Sequence, residues 1–157
     1  MAKIKSVGDH TKIRFENNWE TLMRAPAVAG TIYNARTGKY LLIEQYREPV
    51  KLNTIEPVAG MIDDDETALD ALVRELYEET GYNVTKHNWT NLGTFMTSPG
   101  FTDEIVTLYV RVMNKAPNLK KAPETGITVR WLDREEYEEA IADFSPKDWR
   151  IEHFMDI

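Results

Sequence analysis

Residues 60–82 read GMIDDDETALDALVRELYEETGY. Leu69, Leu72 and Leu76, with Ala68, recur at helical spacing and predict a helix over 66–80 with one buried apolar stripe. Asp63, three residues before Glu66, reads as half of a capping box, and Gly81 supplies the stop. The rest of the helix is electrostatically awkward. Glu75, Glu78 and Glu79 stand three and four positions apart, with Arg74 the one basic residue among them. Like charges at that spacing cost about 0.2–0.5 kcal/mol per pair. An isolated string of this kind is ordinarily a solvated acidic face. The alternative, with Glu75 and Glu79 on a shared outer face and Glu78 beside it, is a cation site of carboxylate oxygens.

Working outward, AVAGTIYN (27–34) and KYLLIEQY (39–46) read as a strand pair around the turn ARTG. KIRF and WETLM flank Glu16-Asn17-Asn18 as a further short hairpin. TIEPVAG (54–60) reads as one strand whose proline places it at an edge or a bulge. WTNLGTFMT (89–97) and DEIVTLYVRVM (103–113) are strands joined by the loop SPGF, and TVRWL (128–132) is another. Asp133 with Glu136 opens a helix to about Ala142, and Ser145-Pro146 reads as a second helix start. Strands interleaved with helices predict an α/β sandwich with a mixed sheet in one domain, 1–157.

The composition narrows the chemistry. A net charge of −7 disfavours nonspecific nucleic-acid or anionic-membrane binding. No apolar run is long enough to span a bilayer, and MAKIKSVGDH lacks the apolar core of a signal peptide. The absence of cysteine excludes disulfides and thiolate metal sites and agrees with a cytoplasmic location. His10, His87 and His153 are scattered and form no ligand motif. Oxygen-seeking cations, Mg²⁺ or Mn²⁺, therefore suit the glutamates better than zinc.

The whole segment matches G-x5-E-x7-R-E-U-x-E-E-x-G-U, with U a bulky apolar residue, at Gly60, Glu66, Arg74, Glu75, Leu76, Glu78, Glu79 and Gly81. Tyr82 stands where an aliphatic residue is more usual. At about 7% frequency per fixed position, a chance match has a probability on the order of 10⁻⁷. In this the chain resembles the Nudix hydrolases, which implies a Nudix-type α/β/α sandwich. The resemblance implies that Glu75 and Glu79 are direct metal ligands and Glu78 a ligand or its close neighbour with a part in catalysis. A backbone carbonyl at Ala59 or Gly60 would complete the set. Arg74 would serve catalysis by holding the glutamates in place, with Glu66, Gly60 and Gly81 structural.

EQYREPV (44–50), IEPVAG (55–60) and TSPGFTDE (97–104) are similar to stretches of the ADP-ribose pyrophosphatase subgroup. Val58 departs from that subgroup's usual proline-alanine step. The resemblance implies that Glu104, on a movable loop, is the catalytic base, and that ADP-ribose is split to AMP and ribose 5-phosphate. Arg47, Gly100 and Phe101 become candidate substrate contacts, although a Pro-Gly turn and an apolar residue packed beneath it explain SPGF equally. Residues 1–25 would be a short N-terminal extension, and a homodimer through it is expected. No role follows for Phe15, Trp19 or Arg24. Trp131 and Trp149 read as core packing, DREEYEEA as a solvated helix face, and TGKY as a turn that fails the P-loop pattern. The competing functions are a nucleoside triphosphate pyrophosphohydrolase and a non-catalytic nucleotide-binding regulatory module. The full glutamate set argues against the second.

Overall fold

A strand buried on both faces reads as an unbroken apolar run, and Leu41-Leu42-Ile43 is one. The computed structural model describes residues 2–7, 11–142 and 147–156. At the N-terminus β1 (Lys3–Ser6), β2 (Lys12–Glu16) and β3 (Trp19–Met23) form an antiparallel three-stranded sheet. The β2–β3 turn has Asn17 and Asn18 at φ of 52° and 63°, the left-handed pair that asparagine tolerates in a tight hairpin. The expected hairpin is therefore present, with β1 added to its edge.

The second sheet takes β4 (Ala27–Asn34), β5 (Lys39–Arg47), β6 (Leu52–Glu56) and β7 (Val58–Met61) before the chain enters α1 (Ala68–Thr80). Then come β8 (Tyr82–Asn83), β9 (Thr90–Met96), β10 (Ile105–Met113), β11 (Asn118–Leu119), β12 (Ile127–Leu132), α2 (Arg134–Ile141) and α3 (Trp149–Met155). The order is β12-β5-β4-β10-β9, with β6 on β5 and β7 on β4. β10 runs parallel to β4 and the other pairs are antiparallel, so the sheet is mixed as expected.

Alternation along β5 sets the layers. Leu41 and Ile43 join Val28 and Ile32 beneath Ala71, Leu72 and Leu76 of α1. Leu42, pointing the other way, packs with Ile55 and with Tyr137, Ile141 and Ile151 of α2 and α3. Helices thus cover both faces. Each fully buried leucine of α1 contributes roughly 1.5–3 kcal/mol.

Three boundaries differ from the sequence expectation. Helix α1 begins at Ala68, with the Thr67 side chain accepting the Asp70 backbone N–H. Asp63 and Glu66 close a turn ahead of it, because the Glu66 carboxylate is drawn to Arg74 at 2.9 and 3.0 Å. The stretch TIEPVAG is two strands, since Pro57 has no N–H to continue a ladder. Ser145-Pro146 lies outside the described residues, and α3 is capped by Asp148. Where the sequence did anticipate the ends, the chemistry is visible. Gly81 stops α1 at φ 74°, and Asp133 and Glu136 form a reciprocal capping box on α2.

The same proline lies where two strands diverge over a cleft. β4 and β5 pair directly only at Tyr33↔Tyr40 and Asn34↔Lys39. Beyond that point β7 takes the edge of β4 from Ala27 to Gly30, and β6 takes the edge of β5 from Ile43 to Arg47. A cleft of about 980 Å³ lies over this divergence, bounded by β6, β7, α1, the end of β9, the start of β10, and the segment from Lys147 to Arg150.

Candidate active site

On α1, Glu79 lies three residues after Leu76 and seven after Leu72, which puts it on the line of the buried stripe. It is accordingly only 8% exposed, so the face it shares with Glu75, four residues before it, is not the outer face expected. Burial pushes its carboxyl up to about 8, the Glu75 charge pushes the same way, and a hydrogen bond from the Ala59 backbone opposes both. Its Oε2 is buried without a hydrogen-bond partner. Glu75 is half-buried against Gly60, where an added Cβ would lie 2.0 Å from Oε1 and 2.5 Å from Cγ. Only a residue without a side chain lets the carboxylate lie there. Burial raises the Glu75 pKa, and the Arg74 hydrogen bond and charge oppose the rise.

Arg74 is the hub that makes the crowded face tolerable. Its Nη1 donates to Glu75 at 2.7 Å and to Glu78 at 3.4 Å, its Nε and Nη2 grip Glu66, and Nη2 also reaches the Met61 carbonyl at 3.1 Å. The hydrogen bonds that Arg74 donates to Glu66 hold the guanidinium pKa above its ordinary value despite some burial. Glu78 remains exposed. Among the described residues, no three His, Cys, Asp or Glu side chains converge as a ready cation cage, and Glu75 and Glu78 are both held by Arg74.

Across the cleft, Glu104 accepts from Thr97 Oγ1 at 2.9 Å and from Arg24 Nε at 3.3 Å. The loop before it is tied down rather than free. Leu22 donates to the Phe101 carbonyl at 2.9 Å, Thr102 Oγ1 donates to the Leu22 carbonyl at 2.8 Å, and Arg24 N–H bonds Asp103 at 2.9 Å. The N-terminal sheet thus holds the loop expected to be movable. Gly100 and Phe101 are exposed, Phe101 by 59%, and neither is in the described cleft lining.

Arg47 lines the cleft but its guanidinium is engaged, gripping Glu56 in two-pronged fashion at 2.8 and 2.6 Å. Glu56 is buried, yet the hydrogen bonds from Arg47 and Thr54 and the charges of Arg47 and Arg150 outweigh the burial and lower its pKa to about 2. Arg150 bridges Glu56 to Asp148. Every described cation that lines the cleft has a carboxylate partner: Arg24 with Glu104, Arg47 with Glu56, Arg130 with Glu44, Lys147 with Glu138 and Glu152, and Arg150 with Asp148. Arg24 and Arg150 carried no sequence signal, since the partners they meet lie 80 residues away for Arg24 and 94 for Arg150.

The family model for the NUDIX domain matches residues 23–153. The methanol dehydrogenase activator of Bacillus methanolicus is 39% identical over 89 residues, which is 57% of this chain and 47% of that protein. The ADP-ribose pyrophosphatase of Bacillus subtilis (strain 168) is 34% identical over 89 residues, again 57% of this chain and 47% of that protein. The GDP-mannose pyrophosphatase of Yersinia pestis (strain Pestoides F) is 33% identical over 102 residues, 61% of this chain and 49% of that protein. The chain matches about half the length of these curated relatives. In fold it resembles a crystal structure of an ADP compounds hydrolase, with a TM-score of 0.75 at 15% identity, covering 99% of this chain and 88% of that one.

Proposed function

The chain belongs to the NUDIX domain family, and from that premise we propose that it is a metal-dependent hydrolase of nucleoside diphosphates linked to a sugar, with ADP-ribose the first candidate. The observation that carries the reading is the cleft itself, where Glu75 and Gly60 line one side, Glu104 another, and every described cation of the lining is already paired. A diphosphate entering it meets no unpaired positive side chain among the described residues. The two pyrophosphatases among its relatives act on ADP-ribose and GDP-mannose, which supports the substrate class.

The donor set fits a hard cation. It is all oxygen, and it includes a buried carboxylate oxygen, Glu79 Oε2, that has no partner of its own. In this reading Glu75, Glu79 and Glu78, with the Ala59 carbonyl, would hold Mg²⁺ or Mn²⁺. Bound there, the cation would offset the diphosphate charge and acidify the attacking water. The protein's own part is positional and protonic. Arg74 with Glu66 orients Glu75 and Glu78. Glu104, oriented by Thr97 and Arg24, takes the proton from water as its oxygen attacks phosphorus and the P–O–P bond breaks. For ADP-ribose, AMP and ribose 5-phosphate leave. Arg47 is a substrate contact that acts from its Glu56 pairing, and Gly100 and Phe101 serve only a substrate that extends past the cleft rim. Exposed Ile4, Val7 and Trp19 support a homodimer through the N-terminal sheet, and a cytoplasmic location completes the reading.

Product analysis tests it. ADP-ribose, GDP-mannose and the common nucleoside triphosphates are incubated with and without Mg²⁺, and the products are separated. Mg²⁺-dependent release of AMP from ADP-ribose, with the triphosphates intact, is the expected result. Pyrophosphate released from triphosphates alone would refute the sugar-nucleotide reading. Tight nucleotide binding without any turnover would favour a regulatory module.

A further inference from the structure

Trp149 does not behave as the core residue its helix would suggest. Ile151 and Phe154 of α3 are buried, whereas Trp149 is 41% exposed and lines the cleft. Trp131, by contrast, packs against the main core, and its Nε1 donates to the Tyr82 hydroxyl at 3.2 Å. Exposing that much indole forfeits burial unless something planar and apolar covers it in use.

Its position relative to the reacting end is set by the sheet. Phe95 of β9 is the register partner of Val106 on β10. Val106 follows Glu104 by two residues, and both line the cleft. The Phe95 ring holds the indole from one side, with centroids 6.0 Å apart and planes inclined by 58°. Trp149 therefore stands next to the Glu104 wall, supported from behind. The only other aromatic residue in the described lining, Tyr137, is 1% exposed and cannot offer a ring face. The charged groups around Trp149 are mutually paired, which leaves the indole as the largest unengaged recognition surface.

We propose that Trp149 is the stacking platform for the nucleobase of the substrate, and so determines specificity for a nucleotide over a base-free sugar phosphate. The proposal rests on the nucleotide-hydrolase reading but concerns binding, so it can be tested without turnover. Base–aromatic stacking is tolerant of base identity, so purine and pyrimidine nucleotides should depend on Trp149 alike.

Calorimetric titrations with AMP, CMP and ribose 5-phosphate are run on the wild type, Trp149→Ala and Trp149→Phe. Thermal melts confirm that each variant is folded. Removing the ring should weaken AMP and CMP binding by roughly ten- to a hundredfold and leave ribose 5-phosphate binding unchanged. Trp149→Phe should restore most of the loss. In steady state, KM for ADP-ribose rises while kcat changes far less. Four results would overturn the proposal: unchanged AMP affinity in Trp149→Ala, an equal loss for AMP and ribose 5-phosphate, no recovery in a folded Trp149→Phe, or no AMP binding by the wild type. If AMP binding depends on Trp149 while ADP-ribose is not hydrolysed, the stacking site stands and the catalytic reading falls.

Discussion

Replacing Glu56 by glutamine should remove roughly 3 kcal/mol of stability at neutral pH. The side chain is 6% exposed, and its pKa lies at about 2 against an ordinary 4.5. Each unit between two pKa values is about 1.36 kcal/mol, so ionised Glu56 favours the folded state by roughly 3 kcal/mol. The sign follows from proton uptake. As pH falls, the unfolded chain takes up the proton first, near 4.5, while the folded protein resists until about 2. The stabilisation is therefore complete above the unfolded value and disappears between the two. In Glu56→Gln, the amide keeps one acceptor oxygen, but the two-pronged pairing with Arg47 is broken and the charge facing Arg47 and Arg150 is gone; Arg150 retains Asp148. For a protein of this size the melting temperature at pH 7 should fall by about 6–12 °C. Urea or thermal melts of both proteins at pH 7, 5 and 3 test this. The gap should be full at pH 7 and narrow steadily below pH 4.5. A gap under about 1 kcal/mol at pH 7, or one that does not change with pH, would refute the reasoning.

Gly60→Ala places a methyl group 2.0 Å from Glu75 Oε1, so the carboxylate must move. A displacement of about 1 Å should lower kcat/KM by about a hundredfold, with the fold kept as judged by circular dichroism. Glu104→Gln should cut kcat by about 10²–10⁴-fold with Mg²⁺ affinity unchanged in a metal titration; an unaltered kcat would assign the base elsewhere. Thr67→Ala removes the acceptor for the Asp70 N–H at 3.2 Å. It should cost about 1 kcal/mol, seen as a melting shift of about 2–4 °C with activity intact.

Much of the site was legible because it is local. Arg74, Glu75, Glu78 and Glu79 fall within one helix, where sequence distance translates directly into angle and rise, and Gly60 and Glu66 sit in the strand end and turn that lead into it. The same holds for the β2–β3 hairpin, the Asp133 capping box and the Gly81 stop. Glu79 could have been placed as well, since its offsets from Leu72 and Leu76 put it on the buried stripe. Its acidic character obscured the periodicity that it obeys.

What the sequence by itself determined was the local chemistry: the glutamate helix, the strand runs, the alternation of Leu41, Leu42 and Ile43 that demands a layer on each face. Only the tertiary structure decided how that chemistry meets. Pro57 lets β6 and β7 follow different neighbours, so a cleft lies where a single strand with an edge or bulge proline was expected. Arg24 reaches Glu104 across 80 residues and Arg150 reaches Glu56 across 94. Trp149 faces the cleft beside Phe95 while Ile151 and Phe154 of the same helix are buried. Charge pairing and side-chain exposure depend on separation in space, and for residues that far apart only the folded sheet determines it.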